Sequence, residues 1–582
     1  MSSLTRRQLI KSASVTAAGS LLSACGSKSP AHGNAPVVAQ SSGFLFRDVQ
    51  DTAGVHFKHT DGESGRKYFV EQFCSGCGFI DFDNDGFLDI YAVNGALLPG
   101  SQVKGHPRHE MFRNRGDGTF ENVTDKCGLG STRFGGGVCA ADYDNDGYLE
   151  IYVTCFGKNH LYKNKGNGVF EDIAIHAGVA GLECISTSAC FFDYDNDGWL
   201  DLYVCNYVDY KLSEDRFCGK GKDHKSYCGP EVYHSHADTL YHNNRDGTFT
   251  EVSRPSRIIQ TRSKSLGVVA TDVDNDGWMD LYVTCDLEPN LLLINNRDGT
   301  FAERGVEYGV AYGMDGAAHA GMGVSAGDYD NDGNIDLFVT NYSFEMNSLY
   351  RNTGQANFTY ESLRTGIGPP SLVPLGFGAH FADFDNDGWQ DIVVANGHVL
   401  DDCHENNQAL EYAQPLQLYH NHGGKSFEDV STTAGPAFQQ KYVGRGLAVG
   451  DYDNDGRLDI LVSNNKGPVR LIHNESSFQH NWIKLQLQGV KANRSAIGAR
   501  VQVKTRSGMQ TQEVYSGSSY LSQSDLRVHF GLGTDTTILE VRVRWPGSGG
   551  IPGAEEVWKR LETNRIHRLV EGSTSNKGGI AK

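Results

Sequence analysis

The chain has 582 residues, a formal charge of −19 and 70 glycines. Its length holds a large core and more than one domain, and the glycines, spread over turn-like sites between alternating apolar segments, point to a β-rich globular protein rather than a disordered one. No basic stripe interleaved with aromatic residues appears, which argues against a nucleic-acid partner.

Residues 1–25 read as an address. Thr5-Arg6-Arg7-Gln8-Leu9-Ile10-Lys11 resembles a twin-arginine export motif, an apolar run from Ala13 to Leu22 follows, and Leu22-Ser23-Ala24-Cys25 resembles a lipobox in which Cys25 is lipidated. No other segment approaches the roughly 18 apolar residues of a membrane span. The expected product is a periplasmic or cell-surface lipoprotein, held to a membrane by its lipid alone. Residues 26–42, rich in Gly, Ser, Ala and Pro, read as a flexible tether.

Setting Cys25 aside leaves twelve cysteines: Cys74, Cys77, Cys127, Cys139, Cys155, Cys184, Cys190, Cys205, Cys218, Cys228, Cys285 and Cys403. In an oxidising envelope an even set predicts disulfides. Cys218 and Cys228, in the longest insertion, are the foremost pair. Cys74-Ser75-Gly76-Cys77 has the spacing of a redox or metal motif but lacks a second CxxC or a thioredoxin-like context.

From residue 81 onward one unit recurs seven times, D-x-D-N-D-G-x-x-[DE]. Its acids are Asp81, Asp83, Asp85 and Asp89; Asp142, Asp144, Asp146 and Glu150; Asp193, Asp195, Asp197 and Asp201; Asp272, Asp274, Asp276 and Asp280; Asp328, Asp330, Asp332 and Asp336; Asp383, Asp385, Asp387 and Asp391; and Asp451, Asp453, Asp455 and Asp459. The first six positions match the start of an EF-hand loop, whose side chains one, three and five give oxygens to a hard cation and whose Gly six allows the turn. Here the last acid sits at nine and runs into a strand, as in Asp201-Leu202-Tyr203-Val204. Single copies could be plain hairpin turns. Seven copies with four carboxylates each repel themselves unless a cation compensates, so about seven calcium sites are expected. Seven calcium ions would add fourteen positive charges and bring −19 to −5.

The first aspartates lie 51 to 79 residues apart, room for about four short strands and a metal loop per unit. A second signature follows most loops: Leu161-Tyr162-Lys163-Asn164 precedes the turn Gly166-Asn167-Gly168 and Phe170, with similar forms at Leu240 to Phe249, Leu293 to Phe301, Leu349 to Phe358 and Leu418 to Phe427. Tight hairpins between strands follow. Four strands repeated seven times describe a seven-bladed β-propeller, all-β in class. The seventh unit lacks a last strand after Asn474, whereas Phe46-Arg47-Asp48-Val49 matches Phe120-Glu121-Asn122-Val123 and Phe427-Glu428-Asp429-Val430. The first segment is therefore expected to complete the last blade and close the ring.

These loops resemble the FG-GAP/VCBS repeats of integrin-α-type propellers. Asn493-Arg494-Ser495-Ala496-Ile497-Gly498-Ala499-Arg500-Val501, Ser516-Gly517-Ser518-Ser519-Tyr520-Leu521-Ser522-Gln523-Ser524, Phe530-Gly531-Leu532-Gly533 and Trp545-Pro546-Gly547 resemble the ASPIC/UnbV domain that follows such repeats. The resemblance implies a propeller over 43–478 with calcium in its loops and an ASPIC/UnbV domain over 479–572; the Gly-, Ser- and Lys-bearing tail over 573–582 is expected to be disordered. It carries no catalytic assignment. Family-like motifs also stand at Asn396-Gly397-His398-Val399 and Gly444-Arg445-Gly446-Leu447. Independently, Ile483, Leu485 and Leu487 alternate with Lys484 and Gln486, and Leu539, Val541, Val543 and Trp545 with Glu540, Arg542 and Arg544, so a small β-sandwich is expected.

Two functions fit. The leading one is a binding or adhesion module whose partner is an extracytoplasmic protein or glycan. The alternative is an envelope enzyme, with redox chemistry in view, built on a transition-metal site in the insertions, where His224, His234 and His236 lie near Cys228, and His398 and His404 near Asp401, Asp402 and Cys403. His319 and His380 are expected to serve the core or its hydrogen bonds. G-x-S-x-G, P-loop and H-E-x-x-H signatures are absent.

Overall fold

The computed structural model describes residues 42–220 and 224–574. The export segment, Cys25, the tether before Ser42 and the tail beyond residue 574 lie outside the described residues. Among the described residues, no helix is long and apolar enough to cross a membrane.

Seven of the four-stranded sheets share one plan. In the second, Gly135–Ala141 enters an acidic loop, Glu150–Cys155 leaves it, and His160–Asn164 turns through a hairpin into Phe170–Asp172, each antiparallel to the one before. The strand entering the loop is buried along its whole length, whereas Phe170–Asp172 is buried only at Phe170. The former therefore lies deep and the latter at the rim. The deep strands of successive sheets pack on one another, and Gly444–Gly450 of the seventh also packs on Cys77–Ile80 of the first. The arrangement is propeller-like. As expected from its pattern, Phe46–Asp48 adds the fourth strand to the seventh sheet, pairing Phe46 with Asn474 and Asp48 with Ile472.

The repeated asparagines explain what joins the sheets. The Asn ending each third strand is buried, and its Nδ2 donates to the second-position carbonyl of the preceding acidic loop: Asn164 to Phe82, Asn243 to Tyr143, Asn295 to Tyr194, Asn352 to Val273, Asn421 to Tyr329, Asn474 to Phe384 and Asn114 to Tyr452, all at 2.7–2.9 Å. The Asn at loop position four has positive φ in all seven loops, from 55° to 61°, a conformation its short polar side chain tolerates. That turn aims its amide sideways. Asn84 donates to Gly147 O, Asn145 to Gly198 O, Asn196 to Gly277 O, Asn331 to Gly388 O, Asn386 to Gly456 O and Asn454 to Gly86 O.

After residue 480 two further sheets form. One carries Asn481–Gln488 between Val528–Gly533 and Arg565–Val570; the other holds Met509–Glu513, Arg500–Lys504, Glu540–Arg544 and Glu555–Trp558. Ile483, Leu485, Phe530, Val501, Val541, Val543 and Trp545 join one apolar cluster, the sandwich that the alternation predicts. Its segment Ser516–Ser524 leaves the sandwich and enters the centre of the seven sheets. Leu521 O accepts from Val138 N, Ser519 and Val324 exchange backbone bonds, and Gln523 bonds with Cys77 and Phe79. Ser188 Oγ accepts from Leu521 N, while Ser519 Oγ and Ser524 Oγ accept from Ala379 N and Val449 N. A Cβ on Gly76 would lie 2.2 Å from Leu521 O, so this approach requires glycine there.

On the opposite side, Phe69, Phe73, Tyr207, Tyr210, Tyr233 and Phe377 form an apolar cluster that also contacts Tyr520 and Leu521. Arg445 is fully buried beside it, stacked 4.1 Å over Phe377, and donates to the carbonyls of Gln72, Gly397, Gly444 and His398. The two motifs around Gly397 and Arg445 are thus halves of one contact.

Replacing Asn243 by Ala leaves Tyr143 O and Leu200 O, which its amide reaches at 2.9 Å, without that donor. Two buried carbonyls cost roughly 2 to 4 kcal/mol, read as a lower denaturant midpoint. Arg304→Ala, which removes an exposed pair with Glu307, is expected to stay within about 0.5 kcal/mol.

Candidate metal centres

Each acidic loop is organised by its own carboxylates. The first aspartate accepts from the amides of positions five and six at 2.8–3.1 Å in all seven copies. The fifth accepts from the amide of position seven at 2.8–3.0 Å. The ninth residue folds back onto the loop. One of its oxygens accepts from the amide of position two, and in six copies the other accepts from the third-strand Asn at 2.7–2.9 Å. Glu150 departs from this: its Oε1 has no hydrogen-bond partner.

The ninth carboxylates are at most 2% exposed. Burial, aggravated by neighbouring aspartates, pushes Asp89, Glu150, Asp280, Asp336 and Asp459 well above the ordinary carboxylate range. Burial likewise raises Asp201 to about 7 and Asp391 to about 6, with His242 and His420 opposing it. At the first position, burial lifts Asp81 to about 6, Asp142 to about 7 and Asp328 to about 8. In five loops the third aspartate adds a buried oxygen with no hydrogen-bond partner: Asp83, Asp144, Asp195, Asp274 and Asp330, each through Oδ1. Crowded, desolvated, partnerless oxygens on one short loop fit a hard divalent cation such as calcium. The residues that would hold it are those at positions one, three, five and nine.

Two sets of contacts escaped sequence reasoning. The first is the third-strand residue just before the Asn, which reaches the acids. Arg113 lies 2.5 Å from Asp83 and 2.9 Å from Asp85; Arg351 stands likewise on Asp330 and Asp332; and Lys163 contacts Asp144 and Asp146. In three copies this residue is His242, His420 or His473. Burial disfavours charge on His420, but Asp391, Asp385 and Asp387 overcome it and hold the imidazolium up to about 9. The residue before the third-strand Asn carried this signal in the sequence, as a polar residue alternating with buried neighbours in six of the seven copies.

The second set comes from the C-terminal sandwich, which lies on the loop face. Lys484, fully buried, donates to Asp451 at 2.5 Å. Arg544 pairs with Asp272 and Arg500 donates to Gly333 O. Arg494 N and Gly550 N bond to Asn145 and Asn196, His529 to Asn386, and Arg527 to Gly86 O and Asn454. Every one of the seven loops is touched.

The cysteines correct an expectation. Among the described residues Cys218–Cys228 is bonded, as anticipated, but Cys74, Cys77, Cys127, Cys139, Cys155, Cys184, Cys190, Cys205, Cys285 and Cys403 are buried free thiols. Most sit in strands or under loops as small apolar groups. Burial pushes the Cys77 and Cys403 thiols up to about 11, so neither has the character of a reactive thiolate. His236, His398 and His404 each bond a backbone group, and His224 lies 3.8 Å from Asp402, while His319 and His380 make hydrogen bonds with Asp315 and Phe381 O.

With this geometry in view, comparisons with known proteins place the chain in a family. Residues 81–153, 143–204, 231–283, 272–339, 328–394 and 406–462 match the FG-GAP-like repeat, and residues 489–576 match ASPIC and UnbV; the chain belongs to the FG-GAP-like repeat proteins and carries an ASPIC/UnbV domain after the repeats. It is homologous to cartilage acidic protein 1. It is 25% identical over 502 residues to the Xenopus tropicalis protein, covering 81% of this chain and 70% of the relative. Against the Homo sapiens protein the identity is 26% over 437 residues, 70% of this chain and 60% of the relative. Among solved structures, an Agrocybe aegerita lectin that recognises non-reducing terminal N-acetylglucosamine aligns over 61% of this chain and 79% of its own, with 16% identity and a TM-score of 0.37.

The raised carboxylates give stability a definite pH slope. Between pH 6.5 and 8, without calcium, the folded chain keeps protons on Asp142 and Asp201 at about 7 and Asp328 at about 8, which the unfolded chain has released at about pH 4. The folded state binds more protons, so stability falls as pH rises through this window. Buried His59, His109 and His529, pushed by burial down to about 3, are neutral when folded but about half protonated when unfolded at pH 6.5, so they oppose this slope in the lower half of the window and reduce it without reversing it. The expected result is a Tm lower by about 5 °C at pH 8 than at pH 6.5 in chelator, and little or no fall in saturating calcium. A chelated protein equally stable at both pH values would contradict this account.

Proposed function

We propose that this protein is an exported, lipid-anchored binding module: a closed ring of seven blades stiffened by calcium, which presents its insertion face to an extracytoplasmic protein or glycan. The observation that carries the calcium reading is the set of buried ninth-position carboxylates, each at most 2% exposed and set in a crowd of further acids. Closure is supported by Phe46–Asp48 in the seventh sheet and by the Asn114–Tyr452 and Asn454–Gly86 bonds between the seventh and first repeats.

The face follows from topology. The acidic loops and the third-to-fourth-strand hairpins lie at one end of every sheet, and the sandwich rests on those loops. Connections between the second and third strands lie at the other end, and the longest of them, between Asn206 and Thr239, carries the Cys218–Cys228 hairpin with Phe217 54% exposed beside it. Loops on a rigid scaffold are where recognition residues gather. Three of the insertion histidines, His236, His398 and His404, are engaged with backbone groups, which fits a binding face better than a metal catalyst.

The test is binding of the purified full-length chain to a glycan array and to intact cells. Chelation is expected to abolish binding, and Phe217→Ser to weaken it about tenfold or more, roughly what loss of a central aromatic contact gives, with Tm unchanged. Binding indifferent to both changes would sink the assignment of this face. Anchoring is tested separately. Cys25→Ser is expected to move the protein from the membrane fraction to the soluble envelope fraction, and retention in the membrane would count against the lipobox reading.

A further inference from the structure

The third-strand residue before each Asn divides the seven loops into chemical kinds. In three it is a permanent cation, Arg113, Lys163 or Arg351, already seated on the acids; in one it is Ile294. In the remaining three it is a histidine. Nδ1 of His242 lies 3.2 Å from Asp201 Oδ1 and 3.6 Å from Asp195 Oδ2. Nδ1 of His420 lies 3.1 Å from Asp391 Oδ1, and Nε2 of His473 lies 3.2 Å from Asp453 Oδ2 and 3.9 Å from Asp455 Oδ2. One donor atom from each of Asp195, Asp201 and His242 falls within 4.8 Å of the other two, as do those of Asp385, Asp387 and His420 and of Asp453, Asp455 and His473. In the first set, Oδ1 of Asp195 is moreover buried without a hydrogen-bond partner.

We propose that these three loops are mixed nitrogen and oxygen sites that take a borderline transition metal, of the zinc or cobalt class, in preference to calcium. The proposal rests on the reading that the loops hold cations at all. Calcium takes oxygen ligands, whereas imidazole with carboxylates suits zinc and its neighbours. Donors about 2.0–2.2 Å from a tetrahedral ion stand about 3.3–3.6 Å apart, so triads whose donor atoms lie within 4.8 Å of one another must draw in by at most about 1.5 Å. A guanidinium or ammonium at the same position cannot coordinate. The loops with Arg113, Lys163 and Arg351 are thereby kept for a hard ion that displaces the side chain, and the His loops are set apart within one repeated frame.

The test uses full-length, metal-stripped protein dialysed against calcium and then titrated with cobalt(II), read by visible absorption and by metal analysis of both ions. The expected stoichiometry is about three cobalt ions per chain in the presence of calcium. The triple variant His242→Arg, His420→Arg, His473→Arg is expected to lose all three while retaining its Tm, since arginine occupies this position in sister repeats. Arg351→His is expected to gain a fourth. Cobalt binding that does not follow the histidine count in either direction overturns the proposal. If cobalt follows that count while calcium does not bind, this inference stands and the calcium reading of the other loops fails.

Discussion

The constraint on which the rest depends is the burial of carboxylate charge. Seven short loops each bring four acids together, and in each the ninth is removed from water. Desolvation and like-charge repulsion both oppose that state. A positive charge must therefore come from somewhere, whether a bound ion, a proton, a strand side chain or a neighbouring domain. The structure offers the last two directly, through Arg113, Lys163 and Arg351 from the third strands and Lys484 and Arg544 from the sandwich. The repeats are alike in what they bury and different in what neutralises it.

The same loops carry the joints between sheets. A position-four Asn held at positive φ turns its amide towards the next loop, and the third-strand Asn turns its own towards the preceding one. Loop geometry is thus transmitted sideways through short hydrogen bonds, and those of the third-strand Asn join buried groups, the kind that is costly to leave unmade. Between the fourth and fifth loops the contact is different. Arg544 bonds Asn275 and Arg500 takes Gly333 O, so the sandwich supplies donors at that junction. This ties the C-terminal domain to the seven sheets by more than apolar contact.

Much of this was legible in the sequence. Period, strand count, the borrowed strand at Phe46 and the foremost disulfide all followed from spacing and alternation, because local turn chemistry and a repeated core dictate them. The sandwich followed from period-two runs such as Ile483, Leu485 and Leu487. What was not legible was long-range. Ser516–Ser524 reads as a polar loop, and nothing in its composition says that it threads the centre of the sheets, where its hydroxyls and amides satisfy the backbone groups of the deep strands. Lys484 reads as the polar face of a strand, yet it is fully buried, because its partner Asp451 lies in another domain. The even cysteine count misled for a related reason: compartment and parity say nothing about whether two thiols share a neighbourhood.

The sandwich changes what calcium would do here. In a free-standing loop, an ion affects its own repeat. In this chain the first-position acids Asp451 and Asp272 are also the anchors for Lys484 and Arg544. Burial opposes the charge on Asp451, yet Lys484 outweighs it and holds the carboxyl below its ordinary range. A divalent ion entering the seventh or fourth loop meets an acid already paired with a domain cation, so it must share that acid or displace the cation. Elsewhere the ion meets a strand cation or an imidazole, and the sandwich touches those loops mainly through backbone carbonyls and asparagines. Occupancy of the fourth and seventh loops would therefore be coupled to seating of the sandwich, and that of the second more weakly, through Arg494 at 3.8 Å from Asp142, while an ion in the others would stiffen its own sheet without contesting the domain contact.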